Sequence, residues 1–214
     1  VPQDFKEAVR WYRLSANQGN VSAQFQMGSA YDTGMGVQKD SKEAERWYLL
    51  AAKQGHANAQ HNLGLMYHEG RGIKQDFKEA VRWYRQAAEQ GHAMAQCSLG
   101  VIYYEGHGVP KDLTESLLWT RLSAEHGYAG GQYNLGIRYA KGESVPQDNV
   151  LAFMWFSLSI DQTEKDEFRE RKLEDAFKWK NTVAKKMPHE QITKAQQLAR
   201  GIAIALEPEG RRDA

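Results

Sequence analysis

The fold is decided by the stretch from Ala59 to Gly91, which reads AQHNLGLMYHEGRGIKQDFKEAVRWYRQAAEQG. Its residue types return every 36 residues along most of the chain. The tryptophans of this series are Trp11, Trp47, Trp83, Trp119 and Trp155, and the aspartates are Asp4, Asp40, Asp76, Asp112 and Asp148. A period shared by so many residue types indicates tandem structural repeats.

The second half of each period predicts a helix, here called the B helix. Asp76 suits the N-cap, and Glu79 stands three residues later, which is the spacing of a capping box. Trp83 and Tyr84 continue an apolar face at helical spacing. Gly91 ends the helix, where a left-handed backbone is needed.

The first half of each period predicts another helix, here called the A helix. Leu63 and Tyr67 share one face of it. Gly64 in the middle costs about 1 kcal/mol relative to alanine, so its recurrence at the same step indicates close approach of a neighbouring helix. The pair Gly70 and Gly72 breaks the helix, and Ile73 can then plug the turn into the core.

A two-helix hairpin cannot bury both of its faces alone, so such hairpins stack. We therefore predict an all-α protein, a right-handed α/α superhelical solenoid of 36-residue helix-turn-helix repeats with a C-terminal helical cap. Residues 1–160 form the array, with the B helix of a first repeat and then four A/B hairpins. Residues 161–206 form capping helices, namely a long amphipathic helix over 164–187 and a last helix after Pro188, and residues 207–214 form a loose tail.

The sequence opens inside a repeat, since Val1-Pro-Gln-Asp4 matches Val145-Pro-Gln-Asp148. One hypothesis is that the array continues upstream of Val1. The alternative is self-association, in which another subunit covers the open face of the first B helix at Ala8, Trp11 and Tyr12.

Composition narrows the function classes. The chain has 214 residues, of which 41% are hydrophobic and 26% charged, and this is typical of a folded globular protein. No run approaches the ~18 consecutive apolar residues of a membrane span. The net charge is +1, and the sequence has no block of basic residues that would indicate nucleic-acid binding. Cys97 is the only cysteine, which excludes an intrachain disulfide framework.

These motifs resemble the Sel-1-like repeat family, bacterial type, a relative of the tetratricopeptide repeat. The resemblance covers residues 1–160 with about a dozen positions per repeat. It implies an adaptor or scaffold that binds a protein or peptide and is not an enzyme. The resemblance leaves the compartment undecided between the bacterial periplasm or envelope and the cytoplasm. Any targeting segment is expected to be absent from this sequence. The disulfide-stapled branch, with its penicillin-related activities, does not fit a chain with one cysteine.

Sites for chemistry are sparse in this sequence. No catalytic signature, phosphate-binding loop or cofactor motif is present, so we predict no catalytic residue, cofactor or metal. His61 and His68 lie two turns apart on one A helix, but a metal site would need a third ligand. His56 and His92 fall in turns, where we interpret them as structural or solvated. The in-register tryptophans could form a stacking platform, although their position favours the core.

The residues that vary inside the A helices are the candidate binding residues, because in the tetratricopeptide fold that this sequence resembles the same positions face a concave groove. Phe25, His61, Cys97 and Tyr133 occupy one position at the step of 36, and amides lie beside them. Amides can hydrogen-bond a peptide backbone, while aromatic rings supply buried area. The predicted groove residues are Phe25, Ser29, His61, Asn62, Leu65, His68, Cys97, Val101, Tyr104, Tyr133, Asn134 and Ile137.

Three alternatives remain open at the level of sequence. Phe25 and Tyr133 can instead pack against neighbouring helices and bind nothing. The groove can serve an envelope glycan or peptidoglycan rather than a protein. A hydrolase would need Cys97 as nucleophile and His61 as its base, one repeat apart on the same series.

Overall fold

The computed structural model describes residues 4–162 and 167–206. Within those two ranges every regular element is an α-helix and there is no strand. The helices are α1 (Phe5–Asn17), α2 (Val21–Thr33), α3 (Ser41–Lys53), α4 (Ala57–Glu69), α5 (Phe77–Glu89), α6 (Ala93–Glu105), α7 (Leu113–Glu125), α8 (Ala129–Lys141), α9 (Asn149–Asp161), α10 (Glu167–Ala184) and α11 (His189–Leu206). The all-α prediction is confirmed, with B helices at α1, α3, α5, α7 and α9 and A helices at α2, α4, α6 and α8.

The chain forms two compact units, residues 1–111 and 112–214. In the first unit each helix from α1 to α5 packs against the next one along the chain. Tyr48, Leu63, Met66 and Trp83 form one buried cluster there, and Met27 belongs to a second.

In the second unit, α8 packs on α7 and α9, and α10 and α11 both pack on α9. Phe156 and Leu158 of α9 are fully buried, in one cluster with Val183 and Ala195 from the C-terminal part. The division of the sequence into an array of 160 residues and a separate cap stays a prediction. Residues 163–166, at the start of the predicted long helix, and the predicted loose tail lie outside the described residues.

The B helices begin at the predicted aspartates. The side chain of each accepts hydrogen bonds from the second and third backbone N–H groups of its helix. The reciprocal half of the predicted capping box is wrong, however. The Asp40 N–H donates to the Tyr31 carbonyl, and Glu43 pairs with Arg46 instead.

The glycine positions follow the prediction as well. Gly34, Gly70, Gly106 and Gly142 end the A helices in the left-handed region, where a side chain would be strained. In mid-helix, a Cβ added to Gly64 would lie 2.8 Å from the ring of Tyr84. The predicted close approach of a neighbouring helix is therefore confirmed at this position.

The first B helix differs from its successors. Trp11 is 63% exposed, whereas Trp47 and Trp83 at the equivalent positions are 4% and 3% exposed. The tryptophans of later repeats are core residues, as predicted. What covers α1 stays a prediction. No helix of the described residues is long and apolar enough to cross a membrane.

Candidate protein-binding face

The predicted groove residues fall on four A helices. Those from Phe25 to Tyr104 lie on α2, α4 and α6 of the first unit, and Tyr133, Asn134 and Ile137 lie on α8 of the second. We define the A-helix face as the solvent-facing side of α2, α4 and α6.

Phe25 is half-buried at the edge of this face. Its ring stacks on His56 with centroids 4.7 Å apart and lies 5.9 Å from the ring of Tyr48. It therefore packs against neighbouring elements, as the alternative interpretation expected.

His61 is in the same position one repeat later and is buried, at 8% exposure. Its ring stacks on His92 at 4.9 Å and lies 5.6 Å from that of Tyr84. Burial, followed by the nearby His92, lowers the pKa of His61 to about 4. His61 is thus a neutral packing residue near pH 7.

His56 and His92 have a structural role as helix N-caps. The Nδ1 of each accepts a hydrogen bond of 3.2 Å from a backbone N–H, that of Ala59 for α4 and that of Ala95 for α6. Burial lowers the pKa of both histidines. Histidine is outside the residue types usually assigned to N-caps, so sequence reasoning interpreted these two as structural or solvated turn residues and did not identify them as caps.

The open part of the A-helix face lies chiefly on α6. Val101 and Tyr104 are 37% and 36% exposed, and Met94 is exposed on the same side of the helix. The spacing of seven and three residues places them in one stripe. Cys97 lies within that stripe but is buried.

The α4 residues of the face are half-buried. Leu65 and Asn62 are both partly accessible. The ring of His68 lies 5.4 Å from Phe77 in an edge-on arrangement. Ser29 of α2 lines a groove of about 240 Å³ between α1 and α2.

The three predicted residues on α8 are all half-buried in the second unit. Tyr133 lies 6.0 Å from the ring of Phe156, and Ile137 packs against the same cluster. Burial, followed by the charge of Asp175, raises the pKa of the Tyr133 hydroxyl. Tyr133 thus contacts the core of its unit through its ring.

Among the described residues, no three His, Cys, Asp or Glu side chains are placed to share a metal ion. Arg71, in the turn after α4, pairs with Asp32 of α2 at 3.2 Å and also contacts Glu69.

A row of glutamines was missed by sequence reasoning. Gln24, Gln60, Gln96 and Gln132 are buried, and each donates to a carbonyl in the last turn of the preceding helix. The Oε1 of Gln60 also accepts from the Nε2 of Gln90 at 2.7 Å. These glutamines recur at the same step of 36, so the periodicity alone could have found them.

Comparison with known proteins agrees with this architecture. The family model for the Sel1 repeat matches residues 1–20, 21–56, 57–92, 93–128 and 129–163. The chain belongs to the Sel1 repeat family. Its α-helical solenoid fold class is the one shared by the solved structures of Sel1 repeat proteins.

Two solved structures are similar to this Sel1 repeat protein in sequence as well as in fold. A Sel1 repeat protein from Oxalobacter formigenes is 31% identical, with a TM-score of 0.77, 94% of this chain covered and 81% of that chain. A protective antigen of uropathogenic Escherichia coli with an SLR fold is 27% identical, with a TM-score of 0.56 and 98% of this chain covered. This chain spans about half of that antigen, 51% of its length.

A third structure, a Klebsiella pneumoniae protein described as a Sel1 repeat protein, is 19% identical with a TM-score of 0.56. It covers 91% of this chain and 99% of its own, and shares the fold. No curated protein matches the sequence. Sel1 repeat proteins are in general protein-interaction scaffolds and typically are not enzymes.

Proposed function

We propose that this Sel1 repeat protein is a non-enzymatic scaffold that binds a protein segment or peptide on the A-helix face of residues 4–111. The observation that supports the proposal most is the exposed stripe of Met94, Val101 and Tyr104 on α6. Large apolar side chains that remain accessible in one stripe can pack against the apolar anchor residues of a partner.

The residues around the stripe favour the binding of a peptide over the catalysis of a reaction. Leu65, at the position equivalent to Val101 one repeat earlier, is partly accessible, and so is Asn62 three residues before it, which offers an amide for a peptide backbone beside apolar area. Cys97 is buried and His61 is packed between rings, which makes them poor candidates for a nucleophile and its base.

The scaffold is held rigidly before any partner arrives. The buried glutamines tie each A helix to the helix before it, as Gln60 does to the Ala52 carbonyl at 3.1 Å. A preorganised surface loses little conformational entropy on binding, so more of the contact free energy appears as affinity.

The test uses a displayed library of random linear peptides selected on the purified chain, followed by calorimetry with the enriched peptide. We expect Val101→Asp to weaken its binding at least tenfold, because a carboxylate would enter the apolar stripe. Leu50→Asp is the matched control, since Leu50 is similarly exposed but lies on B helix α3. Equal loss in both variants, loss only in the control, or no enriched peptide would overturn the proposal.

A further inference from the structure

The A helices of the first unit begin with two kinds of N-cap at equivalent positions of the repeat. Asn20 caps α2 by accepting from the Ala23 N–H at 2.8 Å. His56 and His92 take the same place for α4 and α6. The backbone N–H at the equivalent position of each helix is thus bound by an amide oxygen in one repeat and by an imidazole nitrogen in the next two.

An imidazole can fill this role only while it is neutral. The Nδ1 atom accepts through its lone pair, and protonation replaces that lone pair with an N–H that cannot accept. A protonated cap would also place positive charge at the positive end of the helix dipole. The His92 tautomer is fixed on both sides, because its Nε2 faces the Asn58 Oδ1 at 2.8 Å and must donate.

The same two rings also brace the A-helix face. His56 stacks on Phe25, and His92 stacks on His61. The other groups that face these rings are the aromatic Tyr84 beside His61 and the amides Asn58 and Asn62. Among the described residues, the titratable neighbours that act on these rings are histidines, His92 on His61 and His56 on His92, and each opposes protonation of its neighbour.

We propose that His56, His61 and His92 form a pH-sensitive element of the first unit. Neutral, they hold the first turns of α4 and α6 and the rings behind the A-helix face. As the pH falls, protonation of His56 and His92 removes the acceptors of both caps. His61, whose pKa is about 4, is still neutral in the folded chain at pH 5.5 and contributes through the stability of the unit instead. This inference rests on the function proposed above. It implies that a peptide bound to the A-helix face dissociates more readily as the pH falls from 7.5 to 5.5.

The sign of the effect follows from the environment of the rings. Burial lowers the pKa of all three histidines relative to the unfolded chain, where histidine titrates near 6.5. The contribution of the neutral histidines to the free energy of unfolding is therefore fully present above about pH 6.5. It is lost as the pH falls toward the pKa of each histidine in the folded chain, which for His61 is about 4. As the pH falls from 7.5 to 5.5, the unfolded chain protonates His61 more readily than the folded chain does. This difference alone raises the unfolding equilibrium constant about tenfold.

The first experiment measures amide hydrogen exchange by NMR on the parent chain at pH 7.5 and 5.5. We expect the protection factors of Ala59 and Ala95, whose N–H groups bind the imidazoles, to fall at the lower pH. Ala23 is the control within the same molecule, because its N–H binds Asn20, which does not titrate. Equal changes at all three amides would overturn the proposal.

The second experiment compares the parent chain with the double variant His56→Asn/His92→Asn and with His61→Phe. These substitutions copy Asn20 and Phe25, which fill the equivalent positions at the N-cap and in the body of α2. In urea unfolding, we expect the increase in the unfolding equilibrium constant between pH 7.5 and 5.5 to be several-fold smaller in each variant than in the parent. An identical increase in parent and variants would assign the pH dependence to other groups and overturn the proposal.

Binding is measured last, with the library-selected peptide. A parent that loses affinity at pH 5.5, beside an asparagine-capped variant that keeps it, would support the regulation of the site. If no peptide is selected, the proposed function fails while the exchange and urea results still decide the pH-sensitive element. If the peptide binds equally at both pH values, the regulation fails and the proposed function stands.

Discussion

The two units build the same repeat with different degrees of regularity. In the first unit, the equivalent core positions hold Ala44 with Met66 and Ala80 with Ile102. In the second, Ser116 and the buried Arg138 occupy them, joined by a hydrogen bond of 2.6 Å. A repeat therefore tolerates a buried charge where a new polar contact arises with it.

Turns and caps show the same contrast. The first unit has Gly36, Gly72 and Gly108 at the second glycine position, while the second unit has Ser144 there at φ 64°. Tyr128, the N-cap of α8, makes no side-chain capping hydrogen bond. The second unit instead gains apolar burial from α10 and α11 against α9. Packing thus replaces local signals where the repeat pattern weakens.

The largest effect should come from filling the close approach between helices. We expect Gly64→Leu to lower the free energy of unfolding by about 3 kcal/mol, because the added Cβ would meet the fully buried ring of Tyr84. Gly201 in α11 is the matched control, since nothing lies within 4 Å of an added Cβ. Gly201→Leu should raise the stability by up to about 1 kcal/mol through helix propensity.

Urea unfolding followed by circular dichroism measures both variants. The same sign of change at both positions would show that intrinsic propensity, rather than contact with Tyr84, governs the recurring mid-helix glycines. The comparison can be extended to the second unit with Gly136→Leu, which would meet Phe156 at 2.8 Å.

A smaller effect is expected at the polar core pair of the second unit. Ser116→Ala should cost about 2 kcal/mol, because it removes an acceptor of the buried Arg138 guanidinium. The double variant Ser116→Ala/Arg138→Ile copies the first unit and should return to within about 1 kcal/mol of the parent. Chemical denaturation of the two variants and the parent measures this difference.

Ser157→Ala serves as the control for loss of a buried hydroxyl. Ser157 donates to the Phe153 carbonyl within its own helix, so its loss should cost less than about 1 kcal/mol. If Ser116→Ala costs no more than this control, the polar pair does not stabilise the second unit.

The smallest effect concerns the turn at Ser144. Ser144→Gly should raise the stability by about 1 kcal/mol, because a serine at φ 64° carries backbone strain that glycine lacks. Ser144→Ala keeps that strain and should show no gain. Differential scanning calorimetry compares the two, and an equal gain in both variants would contradict the strain argument.

Much of the first unit could be predicted from the sequence. The helix starts at aspartate, the left-handed glycines and the buried tryptophans all follow from residues that recur at one step. The capping box was half wrong because the Asp40 N–H already donates to the Tyr31 carbonyl, nine residues earlier, and this contact exists only after the turn has folded.

The candidate binding site was less predictable. Positions on the outward side of the A helices look alike in sequence, yet His61 and Cys97, at one position of the repeat, are buried, while Val101, at another, is exposed. For His61 the burial depends on neighbours that come from other elements, such as the His92 ring that stacks on it. Periodicity identifies which side of a helix faces outward, but not which outward residues a neighbouring ring covers.

The sequence by itself determined the repeat, the helix boundaries and the family of this protein. Those features depend on local physics, namely N-caps, left-handed glycines and helical spacing, which act within a few residues. Only the tertiary structure decided that two histidines stack on Phe25 and His61, and that α6 keeps an apolar stripe exposed. Burial and ring stacking join residues about 30 positions apart, so they exist only once the helices have packed.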